Sequence, residues 1–188
     1  MSKVMIEAAA ALLEGAGGSL PITSLNKALF YLDLHWLLTH GRTITESTYL
    51  GLPAGPVVAK YDKRVIAALE DAGVAQQDES EDGLTKPVCL TLVPQYAVLT
   101  PEQRQAASRI GRWAASRTPS TLSDYSHGND GWKLAWDQGL GARLPAQKID
   151  LRIALQQLTH TDDWLTEEPD ADVSNIFSGA DDEKGTPW

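Results

Sequence analysis

A single cysteine, Cys89, stands in 188 residues, so no disulfide can form within one chain. The fold has to be held by a packed core, which suits a reducing compartment. Histidine is scarce too. His35, His40, His127 and His160 never fall at the three- or four-residue spacing that puts two imidazoles on one helical face, and no second thiol joins Cys89. A metal-ligating pattern is therefore missing, and no cofactor is expected. The chain lacks a Gly-x-Ser-x-Gly elbow, and Gly15-Ala16-Gly17-Gly18 is followed by no lysine, so neither a serine nucleophile nor a phosphate loop is spelled out. Ser126 and His127 are adjacent, and neighbouring side chains point apart, whereas a serine and its base come from distant parts of a chain. The residues thus argue against an enzyme. Long apolar runs are absent as well: Leu25 to Leu38 contains Lys27, Asp33 and His35 and falls short of the ~20 residues that span a bilayer. Glu7 interrupts the stretch Val4 to Leu13 that would serve as an export signal. The expected setting is the cytoplasm, away from membranes.

What is present points to packing and recognition. The hydrophobic share of 43% permits a real core, and 188 residues suit one domain with an appendage. Six tryptophans outnumber two phenylalanines. Each indole brings a large apolar face and an N–H that needs a partner when buried, which places some of them at a surface groove. The net charge of −9 divides unevenly. Residues 1–161 hold 16 acids against 15 bases, a net −1, whereas residues 162–188 hold nine acids and only Lys184, a net −8. The end of the chain repels phosphate and favours a basic partner.

Periodicity sketches a mainly α fold, of α+β type, in which a compact helical domain over residues 1–160 carries a small β-hairpin, followed by an acidic tail over 161–188. Ser2 caps a first helix to about Glu14, closed by Gly15, Gly17 and Gly18. Thr23 or Ser24 caps a second, in which Leu25, Leu29, Leu32 and Trp36 form a seam while Phe30, Leu34 and Leu37 lie off it, so this helix should be central; Gly41 stops it. Ser47 to Leu52 reads as extended, and Leu52-Pro53-Ala54-Gly55-Pro56 as a rigid turn outside regular structure. A third helix turns Val58, Tyr61, Val65 and Leu69 inward and ends before Gly73. Val74 to Gln77 and Val88 to Val93 form a hairpin across the acidic loop containing Asp82-Gly83. Thr100-Pro101-Glu102-Gln103 opens a helix anchored by Ile110 and Trp113. A shorter helix follows Pro119 to about Tyr125, Trp132 and Trp136 share a face, and a last helix runs from about Asp150 to Leu158. Beyond His160 the apolar residues Trp164, Leu165, Val173, Ile176, Phe177 and Trp188 are too sparse to order the segment alone, so it is expected to be disordered. It either solubilises the protein or folds onto a basic, apolar groove of a partner.

Two helices followed by a hairpin also have the order of a winged-helix DNA-binding unit, with Lys60, Lys63 and Arg64 on one helical face. Phosphate neutralisation asks for more positive charge than this, and the hairpin tip Asp78-Glu79-Ser80-Glu81-Asp82 is acidic, so nucleic acid is the weaker partner class.

Leu25-Asn26-Lys27-Ala28-Leu29-Phe30-Tyr31-Leu32-Asp33, Gly41-Arg42-Thr43-Ile44-Thr45, Gly55-Pro56-Val57 with Tyr61-Asp62, and Leu122-Ser123 with Ser126-His127 and Trp132 occur in an order and spacing that resemble the SocA-like, or Panacea, antitoxin domain over residues 25 to 136. Two positions depart from the family pattern: Ala54 stands where an aromatic residue often precedes Gly-Pro-Val, and Gly131 where proline often precedes the final tryptophan. The resemblance implies a mainly helical prokaryotic or phage protein that neutralises a cognate toxin by direct binding, some members handing the toxin to a Clp-type protease. The contact is expected on Tyr49, Gly55, Pro56, Val57, Tyr61, Ser126, His127 and Trp132. Taken singly, Tyr61 and Trp132 also read as ordinary core aromatics and His127 as a satisfied polar residue.

Overall fold

A computed structural model describes residues 2–78 and 86–156. The order is α1 (Lys3–Gly15), β1 (Ser19–Pro21), α2 (Ile22–His40), β2 (Tyr49–Leu52), β3 (Gly55–Val58), a π-helical turn (Asp62–Ile66) running into α3 (Ala67–Asp71), β4 (Ala75–Gln77), β5 (Pro87–Leu90), α4 (Pro101–Ala115), α5 (Pro119–His127), α6 (Asp130–Gln138) and α7 (Leu151–Leu155). The fold is mainly α with small antiparallel sheets, as the periodicity predicts. The expected disorder of the acidic tail, and the tip of the hairpin, fall on positions outside the described residues.

The core forms around α2, where nearly every residue from Ser24 to Leu34 is buried. Leu25, Leu29 and Leu32 are fully inaccessible, each contributing about 2 kcal/mol relative to exposure in water. Gly41 ends the helix in the left-handed region at φ 72°, the usual stop for a helix that must turn sharply. The other end corrects the sequence reading. Neither Thr23 nor Ser24 caps α2; Pro21 occupies the cap position, and the Ile22 N–H is satisfied by the Lys86 carbonyl at 3.2 Å. The reason is β1, which sequence periodicity does not reveal. Ser19, Leu20 and Pro21 pair antiparallel with Cys89, Val88 and Pro87, so the chain enters the helix straight from a strand. The expected hairpin is present as β4 and β5, and β1 makes it a three-stranded sheet in the order β1-β5-β4. β5 stops at Leu90, short of Val93, which is 81% exposed.

α1 and α4 form the most extensive helix–helix contact among the described residues. A Cβ on Gly15 would collide with the Ser108 backbone, and one on Gly111 with the Leu12 carbonyl, so both glycines admit backbone against backbone. α4 opens with the predicted capping box: Thr100 Oγ1 accepts from Gln103 N at 3.2 Å, and Gln103 Oε1 from Thr100 N at 2.9 Å. The segment leading to it is clamped by Glu7, whose carboxylate accepts from the Ala97, Val98 and Leu99 amides. Burial raises the acidity threshold of Glu7, but these three donors outweigh it and leave the pKa lowered.

The stretch after Ser47 departs most from expectation. Gly55–Val58 is not an irregular turn leading into a helix but a strand: Tyr49 pairs with Val58, Leu50 with Val57, Gly51 with Pro56 and Leu52 with Gly55, leaving Pro53-Ala54 as the tip. Pro56 is tolerated because a two-stranded ribbon leaves its N–H side without a ladder obligation. The Gln147–Ile149 segment lines the other edge, with Gly51 N donating to Gln147 O and Ile149 N to Tyr49 O, both at 2.9 Å. The third helix therefore begins only after Lys60, which adopts φ 58°. Val58, Tyr61, Val65 and Leu69 are all buried as predicted, the first of them from a strand.

Candidate functional site

Three buried polar residues of the largely apolar α2 determine where the β2–β3 ribbon sits. Asn26 and Asp33 are seven apart and share a helical face, and Lys27 lies beside Asn26; all three are buried. Asn26 Oδ1 accepts from Val58 N at 3.2 Å, fixing the end of β3. Lys27 Nζ donates to the Pro56 carbonyl at 3.0 Å. Asp33 holds the loop before β2: its Oδ1 accepts from Ile44 N and Thr45 N, both at 2.9 Å, and its Oδ2 faces the Thr45 hydroxyl and the Tyr49 hydroxyl, the latter at 2.8 Å. Burial raises the Asp33 pKa, and the four donors oppose that rise. Tyr49 is wholly buried, and its hydroxyl also lies 2.9 Å from the Leu29 carbonyl.

From the opposite side the tip of the ribbon is held by α5 and α6. Ser123 Oγ donates to Ala54 O at 3.1 Å, and Trp132 Nε1 to Leu52 O at 3.0 Å. The indole N–H thus finds the partner its burial demands. Ser126 Oγ donates to Ser123 O at 2.8 Å and lies against Gly55, where a Cβ would also meet Lys27 Cε at 2.7 Å and Nζ at 3.0 Å. Gly55 has φ 100°, so only glycine fits both the conformation and the space. Asn129 caps α6 through Trp132 N at 3.2 Å and donates to Ala154 O at 3.1 Å. The departure at Gly131 has a packing reason: a Cβ there would lie 2.8 Å from Ala154 Cβ and 3.0 Å from Asp150 O, so the close seat of α7 excludes a larger residue.

The structure therefore brings most of the expected contact residues together around Leu52–Val57, but mainly as a foundation. Tyr49, Gly55, Pro56, Tyr61, Ser126 and Trp132 are buried; Val57 and His127 are partly accessible. His127 stacks on Trp132 at 4.2 Å, and Trp132 on Trp136 at 5.7 Å and 11°, forming a ladder of rings beside the ribbon. Tyr61 stands apart from the hydrogen-bonded group: its hydroxyl has no partner among the described residues, and burial raises its pKa. The exposed elements are Pro53 and Ala54 at the tip, with Leu52 half-buried next to them. Sequence reasoning missed the roles of Asn26, Lys27, Asp33, Ser123 and Asn129, although charged groups within an apolar helix are a readable signal for buried polar anchoring.

Lys27 is the most perturbed cation of the group. It is fully inaccessible, and desolvation lowers its pKa from 10.5 to about 7. Between those two values the unfolded chain holds a proton that the folded chain has released, so stability rises with pH across that window. Lys27→Met should abolish this rise. Urea denaturation of native protein and variant at pH 7 and at about pH 10 measures it; equal gains in both proteins would overturn the assignment.

Among the described residues, no group of three or more histidine, cysteine, aspartate or glutamate side chains is placed to hold a metal, and no helix is long and apolar enough to cross a membrane. The geometry around the ribbon is that of a pinned, shaped surface. The profile of the family described as antitoxin SocA-like, Panacea domain, matches residues 25–133, more than half of the chain, and the protein belongs to that family. The matched span begins within α2 and ends just after Trp132, enclosing Asn26, Lys27, Asp33, the ribbon and the Ser123–Trp132 segment. No curated protein and no solved structure matches the chain.

Proposed function

We propose that the protein is an antitoxin that neutralises a cognate toxic protein by stoichiometric binding, through the exposed tip of the β2–β3 ribbon and the rings beside it. Family membership supports the antitoxin role, and the observation that carries the placement is the convergence of the family motif residues on the tip. Buried groups hold Pro53-Ala54 from both sides, and a contact element fixed in this way loses little conformational entropy on binding. Half-buried Leu52, Val57, His127 and Trp136 surround it with apolar and aromatic surface. In this reading the protein is a binder and not a catalyst, and delivery of the captured toxin to a Clp-type protease is a second stage that the same surface would serve.

The test is genetic and then physical. The reading frame adjacent to this gene should arrest growth when expressed alone and be rescued by co-expression. Ala54→Arg should weaken capture of its product by about tenfold or more while leaving the melting temperature unchanged, because the side chain projects from the tip. An adjacent product that is harmless, or capture unaffected by Ala54→Arg, would sink the reading.

One observation favours a second reading. With the β2–β3 ribbon inserted between α2 and α3, α1, β1, α2, α3, β4 and β5 follow the order of a winged-helix unit, with sheet order β1-β5-β4, and Lys60 and Lys63 are exposed. Against it, the sequence joining β4 to β5, where a DNA-contacting wing is basic, contains Glu79, Glu81 and Asp82. Binding to random duplex DNA that falls steeply with salt would favour this reading over the first.

A further inference from the structure

Away from the ribbon, α4 carries Arg109 and Trp113 four residues apart, and Arg117 follows after the same interval, just beyond the last turn. The three lie along one side of the helix. The Arg117 guanidinium sits over the Trp113 ring at 4.8 Å. Tyr31 of α2 meets Trp113 edge-on at 5.2 Å, and Tyr125 of α5 lies 5.5 Å from Tyr31 and 5.6 Å from Trp113. One turn along α2 from Tyr31, His35 Nε2 lies 2.9 Å from Arg109 Nη2. Burial and the nearby Arg109 and His40 charges push the His35 pKa down to about 4, so its ring is neutral and accepts from the guanidinium. Three helices thus assemble a strip in which Arg109 and Arg117, both partly accessible, flank Tyr125, 39% exposed, over the buried rings of Tyr31 and Trp113. Arg104 and Arg112 add positive charge along α4 against the single acid Glu102, and α5 contributes Asp124. Guanidinium groups alternating with rings receive carboxylates and aromatic side chains together.

We propose that the acidic C-terminal segment of this same chain, residues 162–188, docks on the Arg109–Trp113–Arg117 strip. Its sequence has the complementary chemistry: a net charge of −8 interspersed with Trp164, Phe177 and Trp188. The chain also leaves the described fold close by. α7 packs against α6 and α2, and Asn129, which holds the Ala154 carbonyl, lies one turn beyond Tyr125. Trp164 lies eight residues beyond Gln156, a reach of up to about 28 Å when extended, while the strip from Arg109 to Arg117 is only about 12 Å long. An intramolecular ligand needs little intrinsic affinity, because the linker sets its effective concentration. The proposal is independent of the antitoxin reading.

Cleavage of the full-length protein by a glutamate-specific endoproteinase, followed by mass spectrometry, tests it at Glu167 and Glu183. In the native chain at about 0.05 M salt these bonds should be protected, with cleavage roughly tenfold faster in Arg109→Gln/Arg117→Gln and also in native protein at about 0.5 M salt. Trp164→Ala, which leaves the sequence of the body untouched, should accelerate cleavage as well. Equal rates in all four conditions would overturn the proposal. Protection that grows with protein concentration would assign the strip to the segment of a second copy and equally overturn docking within one chain.

Discussion

Asp33→Ala is expected to destabilise the fold by about 4 kcal/mol, among the largest effects of a single substitution in this domain. The carboxylate is fully buried and accepts from two backbone amides and two hydroxyls. Removing it leaves the Ile44 and Thr45 N–H groups without the acceptor that closes the loop after Gly41, and it leaves the Thr45 and Tyr49 hydroxyls facing a void. A buried donor deprived of its partner costs roughly 1–3 kcal/mol, and the loss here is spread over several donors that relax together. Against a typical total stability of about 5–15 kcal/mol, the variant would sit near the folding threshold. Asp33→Asn keeps one oxygen for the two amides but offers an NH2 to the hydroxyls, so roughly half the loss is expected. Chemical denaturation of the three proteins is the measurement. A loss of under about 1 kcal/mol for the alanine variant would show that the loop does not depend on the carboxylate.

Gly55→Ala should cost about 3 kcal/mol, from two separable sources. One is conformational, since φ 100° lies where a Cβ is opposed by its own backbone. The other is spatial: the new methyl would collide with Ser126 Oγ and press on the end of the Lys27 side chain, and neither side chain can swing into solvent because both are buried. A double-mutant cycle with Ser126→Ala distinguishes them. Removing the hydroxyl should recover about 1 kcal/mol of the loss if crowding contributes; full additivity would leave the backbone as the whole cause.

The central helix, the capped start of α4, the left-handed stop at Gly41 and the β4–β5 hairpin could all be read in the sequence. Each rests on a local pattern whose physics is complete within a few residues: an apolar seam, a Thr-Pro-x-Gln box, a glycine after the last turn. What escaped detection depends on distant partners. β1 is only three residues long and exists because Val88 and Cys89 offer it an edge. β3 was concealed by Pro53 just before it and Pro56 within it, and it is extended because Asn26 and Tyr49 take up its polar groups from elsewhere in the chain. The candidate site divides the same way. The family resemblance pointed to the residues that gather at the ribbon, yet most of them proved to be buried anchors, and the surface they hold up is formed by the less distinctive Leu52, Pro53 and Ala54. A family motif marks what must be preserved for the shape, and this includes interior hydrogen bonding as readily as outward contact.

The family match opens at Leu25, the first residue of the α2 seam, whereas the elements before it are structural partners of those within it. β1 supplies one edge of the sheet, α1 seals α4 through Gly15 and Gly111, and Gln147 to Ile149 dress the outer side of the ribbon after the match has ended. A recombinant fragment trimmed to the recognised span would therefore be born with an open flank and a bare strand, and would aggregate in place of reporting on the proposed binding.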